Sequence, residues 1–141
     1  MYIGIDLGTS SVKTVLMDKD GRIIASATKT YPCSYPKPGY SEQDPADWEE
    51  KSIDCIVSML KETQNPGIKG IGIAGQMHGL VVLDAEDKVI RPAILWNDGR
   101  SAKESRYLNE TIGEKKLAQY TGNISFAGFT APKLLWMKEN E

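Results

Sequence analysis

The chain opens Met1-Tyr2-Ile3-Gly4-Ile5-Asp6-Leu7-Gly8-Thr9-Ser10-Ser11-Val12-Lys13, the residue types that phosphate chemistry needs. An apolar run delivers one carboxylate, Asp6, to its end. Gly8 lets backbone amides come close to an anion, and the hydroxyls of Thr9, Ser10 and Ser11 add donors. Lys13 follows on a second apolar run, Val12 to Met17. Asp6 can hold Mg²⁺, directly or through water, because that ion takes oxygen ligands and keeps several waters. An ordinary β-hairpin with a polar turn would carry the same residues.

Two further clusters carry polar groups at turns. In Gly70-Ile71-Gly72-Ile73-Ala74-Gly75-Gln76-Met77-His78-Gly79, three glycines satisfy the G-x-G-x-x-G spacing. A dinucleotide fingerprint follows a strand and opens a helix. Here Asn65-Pro66-Gly67 stops a helix beforehand and the strand-like Leu80-Val81-Val82-Leu83 follows, so the glycines read as close packing within a sheet. Gln76, Met77 and His78 then project from a strand end, within reach of a ligand. His78 is the single histidine, and a purely structural histidine is the other reading. In Arg91-Pro92-Ala93-Ile94-Leu95-Trp96-Asn97-Asp98-Gly99-Arg100, the Trp96 indole offers an apolar face, while Asn97, Asp98 and Arg100 offer partners for hydroxyls. That combination suits a carbohydrate. The same spacing also fits Trp96 in the core, Asp98 capping a helix and Arg100 on the surface.

The elements that must position these groups follow from periodicity. Residues 2–6, 11–18 and 22–31 read as three strands, with Asp18-Lys19-Asp20-Gly21 as a hairpin turn. A Pro- and Gly-bearing loop runs from Tyr31 to Asp44. Asp44 as a cap, Pro45 at the first helical position and Asp47 in the first turn start a helix. Its apolar stripe is Trp48, Ser52, Ile53, Ile56, Val57, Met59 and Leu60, with Cys55 on the apolar side. Strands are expected at 69–76, 79–83 and 91–96, with a turn over 84–88. From Arg100 onward the pattern is helical, with breaks near Gly113, Gly122 and Gly128. The order β-β-β-α-β-β, then helices, predicts an α/β fold: a mixed sheet with helices, of the ribonuclease-H-like kind.

The 141 residues are 40% hydrophobic and 26% charged, the composition of an ordinary globular domain. With 17 basic and 19 acidic residues the net charge is −2, so no basic field invites nucleic acid. No run is long enough to span a bilayer, and a cytoplasmic address is the expectation. Cys33 and Cys55 are isolated from histidine and cannot build a zinc site.

Taken together the clusters are specific. The chain resembles the carbohydrate kinases of the FGGY family, and among them most closely the xylulokinases. The matching segments are the first motif, Ser41-Glu42-Gln43-Asp44-Pro45, the Gln76-Met77-His78-Gly79 turn, the Leu95-Trp96-Asn97-Asp98-Gly99-Arg100 run and Gly128-Phe129-Thr130-Ala131-Pro132-Lys133-Leu134. The resemblance implies the actin-like ATPase superfamily fold and transfer of the γ-phosphoryl of ATP to the C5 hydroxyl of D-xylulose with Mg²⁺. It implies that Asp6 places metal and phosphate, that Thr9, Ser10, Ser11 and Lys13 line the phosphate side, and that Gln76, Met77, His78, Trp96, Asn97 and Asp98 form the sugar side. It also implies that residues 1–141 are a partial amino-terminal domain. The aspartate accepting the sugar's proton would lie in a Gly-Gly-Asp segment beyond Glu141, so the chain alone would be inactive. Sheet surface left uncovered would then favour self-association, for example a homodimer. The alternatives are a non-catalytic sugar-binding or interaction module, or another sugar kinase of the family.

Overall fold

The computed structural model describes residues 1–141. The strands are β1 (Tyr2–Leu7), β2 (Ser11–Met17), β3 (Ile23–Thr30), β4 (Glu42–Gln43), β5 (Gly70–Gly75) and β6 (Ala93–Ile94). The helices are α1 (Pro45–Glu62), α2 (Ala102–Leu108), α3 (Glu114–Thr121) and α4 (Thr130–Asn140), with a π-helical turn over Asn109–Gly113. They form two compact units. One holds Met1–Cys33 and Asp44–Gln76, the other Ser34–Gln43 and Met77–Glu141.

The first unit is a four-stranded sheet in the order β3-β2-β1-β5. β1 runs antiparallel to β2 and parallel to β5, and β2 runs antiparallel to β3. The parallel pair requires the crossover that α1 supplies. Asp44 caps α1, its carboxylate accepting from Ala46 N at 2.9 Å, and Pro45 occupies the first turn as expected. The core joins Ile3, Ile5, Val12 and Leu16 of the sheet to Cys55 and Met59 of the helix. Full burial of side chains this size contributes about 1.5–3 kcal/mol each. Alternation does the sorting: Ile3, Ile5 and Leu7 pair with Leu16, Thr14 and Val12, so they share one face. Asp6 and Lys13, one step out of phase, fall on the other.

The helix stripe is narrower than its sequence. Ile53 and Val57 remain exposed, because α1 packs over β2 and β3 through the line of Trp48, Cys55, Ile56 and Met59. β5 is an edge strand, and Ile71 and Ile73 are 58% and 70% exposed, so part of the sheet is uncovered as expected.

The second unit has a smaller core of Leu80, Ala93, Ile94, Leu95 and Leu117. β4 and β6 pair through Glu42 with Ile94 and Gln43 with Ala93. The strand expected over 79–83 does not form as such. Only single bridges join Leu80 to Ile94 and Leu83 to Val89, and the register slips between them. Pro92 lies in the slipped stretch and has no N–H to give a ladder. The strand expected over 91–96 shrinks to β6, its start lost at Pro92 and its end at the turn that Asp98 N closes on Leu95 O at 3.1 Å. The turn over 84–88 forms as read, with Asp84 Oδ1 accepting from the amides of Glu86 and Lys88, both at 2.9 Å. The helical breaks at Gly113 and Gly122 also hold, since both have φ in the left-handed region, 89° and 76°.

Burial pushes the Cys55 thiol pKa up, and its side chain is wholly inaccessible. In native protein a thiol reagent is expected to modify the partly exposed Cys33 and to reach Cys55 only after denaturant is added. Equal native-state labelling of both would contradict this packing.

Candidate functional site

In the first unit β1 and β5 run parallel, so their carboxyl ends open on the same sheet edge. Leu7 pairs with Gly75, and the next amide, Gln76 N, donates to Leu7 O at 2.7 Å. The turn after β1 is tight: Gly8 N donates to Ser11 O at 3.0 Å. Thr9 Oγ1 donates to the Gln76 side-chain oxygen at 3.2 Å, tying the two strand ends together. Asp6 is exposed, directly across the ladder from Lys13 on one side and Ala74 on the other. Both charged residues line an open depression of about 500 Å³ with Gly4, Val15, Gly72 and Ala74. The small residues of β1 and β5 leave that face free of bulk. Asp6, Thr9, Ser10, Ser11, Lys13 and Gln76 therefore gather around one edge. No group of three His, Cys, Asp or Glu residues is assembled that could cage a metal ion. A single carboxylate suits Mg²⁺, whose remaining ligands would be water and phosphate oxygens.

Tyr31 is a site residue that sequence reading missed. It is buried, and its hydroxyl donates to Gly8 O, bracing the turn from β3. Burial, and then the negative charge of Asp6, push its pKa up. Lying at the start of a Pro-rich loop, it gave no signal in the sequence.

In the second unit His78 has φ of 61°, left-handed for a residue with a side chain. Its ring stacks on Phe129, with centroids 4.2 Å apart and planes at 21°. A cavity of about 280 Å³ is lined by His78, Leu117, Asn123, Ser125, Phe129 and Thr130, among others. Met77 is 68% exposed, Trp96 is half exposed rather than core, and Asn97 is exposed.

Asp98 behaves differently. Its side chain is fully buried, and its oxygens accept from Ser41 N at 2.6 Å, Arg100 N and Nε at 2.9 Å and Arg100 Nη2 at 2.7 Å. Arg100 is not a surface residue either. Its side chain is 1% exposed, bonds Glu42 at 2.7 Å, and has its guanidinium 3.8 Å from the Tyr40 ring centroid. Burial alone would lower its pKa, but the hydrogen bonds with Asp98 and Glu42 outweigh that and raise it. Arg91 completes the network, bonding Glu42 and Glu141. Asp98 thus anchors the loop that carries Trp96 and Asn97.

The family model for the N-terminal domain of FGGY carbohydrate kinases matches residues 1–141. The chain belongs to the FGGY family of carbohydrate kinases. It is 47% identical to the xylulose kinase of Klebsiella pneumoniae and 45% identical to that of Escherichia coli K12, over all 141 residues but only 29% of either relative. The xylulose kinase crystal structure from Rhodospirillum rubrum superposes with a TM-score of 0.94 at 28% identity, covering 99% of this chain and 29% of that one. The mixed sheet with helices is thus the ribonuclease-H-like fold of these kinase N-domains. No helix is long and apolar enough to cross a membrane.

Removing one partner of a buried ion pair typically costs about 3–5 kcal/mol. Asp98→Ala in this FGGY domain is expected to destabilise it by that order, seen as a lower urea midpoint, because Arg100 keeps only Glu42 as a charge partner. A midpoint within error of wild type would show that the network carries no stability.

Proposed function

We propose that this chain provides the sugar- and phosphate-facing part of a kinase that transfers the γ-phosphoryl of ATP to the C5 hydroxyl of D-xylulose. The observation that carries the reading is the gathering of Asp6, the Gly8 turn and Gln76 at the carboxyl ends of the parallel strands β1 and β5. Identities of 45–47% to xylulose kinases across the whole chain support the choice of sugar.

Each role follows from chemistry. Phosphoryl transfer depends on positioning and charge neutralisation rather than on covalent chemistry by the protein. Thr9, Ser10 and Ser11 offer hydroxyls to phosphate oxygens, and Lys13 offers a positive charge on the same sheet face as Asp6. Asp6 would hold Mg²⁺, which when bound offsets charge on the phosphates. Met77, His78, Trp96 and Asn97 present one thioether, one imidazole, one indole and one amide to a polyol. Gln76 and Asp98 act from behind, Gln76 through Thr9 and Asp98 through Ser41 and Arg100. The domain over residues 1–141 works within a longer kinase, and the cytoplasm, where ATP is supplied, is its proposed location.

The test is steady-state kinetics on the protein carrying this domain, with D-xylulose as acceptor. His78→Ala removes one hydrogen bond to a neutral hydroxyl, about 0.5–1.5 kcal/mol, and is expected to raise KM for the sugar with little change in melting temperature. Asp6→Ala is expected to depress kcat far more than sugar affinity, because its work is on the metal and the phosphoryl. Absence of D-xylulose-dependent ATP consumption in the wild type would overturn the reading. A His78→Ala variant that only melts earlier would make His78 structural.

A further inference from the structure

Lys133 is wholly buried near the start of α4, with no accessible surface. Lysine is almost never fully buried unless it is paired. Here its ammonium donates to two main-chain carbonyls, His78 O and Gly128 O, each at 2.7 Å. Carbonyl dipoles compensate a buried charge only in part. Burial pulls the Lys133 pKa down to about 8, against the attraction of Asp98 and with the repulsion of Arg100. A methionine or leucine would fill this space without that cost, so the charge calls for a reason other than packing.

What Lys133 holds supplies the reason. His78 sits in a left-handed backbone conformation, and such residues persist only where their surroundings over-determine them. The carbonyl held by Lys133 is that of His78 itself, and Thr130 Oγ1 lies 3.4 Å from the same oxygen. The second carbonyl belongs to Gly128, beside the Phe129 on which the His78 ring stacks. Gly128 in turn lies against the backbone of Trp96: a Cβ added there would fall 2.3 Å from Trp96 O. One ammonium therefore joins the His78 turn, the Phe129 platform and, through Gly128, the strand end that bears Trp96. A lysine fits this task because its point-like ammonium donates in three directions, whereas arginine's flat fork does not.

We propose that Lys133 is a positioning residue for substrate specificity, fixing the backbone of His78 so that its imidazole is aimed at the sugar. This rests on the D-xylulose kinase reading for the identity of the sugar, but not for the geometry. Lys133 touches no reacting atom and takes no part in proton transfer.

The test uses the protein carrying this domain and two independent readouts. In Lys133→Met, KM for D-xylulose is expected to rise at least tenfold, with kcat changed less than threefold and KM for ATP unchanged. The carbon-bound proton resonances of the His78 ring, assigned by their loss in His78→Asn, are expected to move downfield as the stack on Phe129 loosens. Unmoved His78 resonances, or moved resonances with an unchanged sugar KM, overturn the proposal, as does a lower melting temperature as the sole effect. If the wild type does not use D-xylulose, the sugar reading fails, and the His78 resonances still decide the positioning role. If Lys133→Met does not fold, the wild type decides. Its Lys133 ammonium protons must show nuclear Overhauser contacts to His78 Hα, and their absence overturns the proposal.

Discussion

In the second unit, charge taken out of water is the constraint around which the rest is arranged. Asp98 and Arg100 are both inaccessible, and neither could remain so alone. Their mutual pairing leaves one further acceptor for Arg100, which Glu42 of β4 provides, and Glu42 also holds Arg91. Tyr40 and Trp136 then close over the guanidinium. The polar turn at Asp98 and Arg100 becomes a fixed support, because moving either residue would strand a charge. Lys133 extends the same logic to main-chain acceptors, one of which is the carbonyl of His78, a residue with a left-handed backbone.

The first unit is governed by a different constraint, the parallel register of β1 and β5. Parallel strands end together, so residues that leave two strands at their carboxyl ends meet at one edge. Asp6, the Gly8 turn and Gln76 are collected this way without any long-range side-chain contact being needed to find one another. The Thr9 to Gln76 bond and the Tyr31 brace then fix details within that edge. Gly4 and Gly72, paired across the sheet, keep the adjoining face shallow where a nucleotide's phosphates would need room.

Under the proposed function, these two solutions would suit the two halves of a phosphoryl transfer. A phosphate and its metal bring their own charge and many oxygen ligands, so an open edge with one carboxylate, a lysine and hydroxyls is enough. A neutral sugar offers only hydroxyl geometry, and distinguishing one sugar from another needs donors held in place. In the proposed assignment, the buried charge network holds the loop of Trp96 and Asn97, read as sugar contacts, and the open arrangement around Asp6 and the Gly8 turn is read as the phosphate side.

Much of this was legible in the residues themselves. Alternation in Tyr2–Leu7 and Ser11–Met17 determined which side chains enter the core, because a strand's period of two admits no other sorting. Asp44-Pro45 started α1, and Gly113 and Gly122 broke the later helices, since caps and left-handed turns are written in single residues. The motifs at Asp6, His78 and Trp96 were enough to indicate a sugar kinase. What the sequence could not give was the environment of each charge. Asp98, Asn97 and Arg100 look alike as polar residues after a tryptophan, yet Asn97 is exposed while Asp98 and Arg100 are sealed. Lys133 reads as an ordinary helical lysine. The expected strand over 79–83 failed because its partner run contains Pro92, whose missing N–H matters only once pairing is known. Local geometry depends on neighbours in sequence and can be read from it. Burial, and with it the demand of a charge for a partner, depends on residues tens of positions away, and only the tertiary structure decides it.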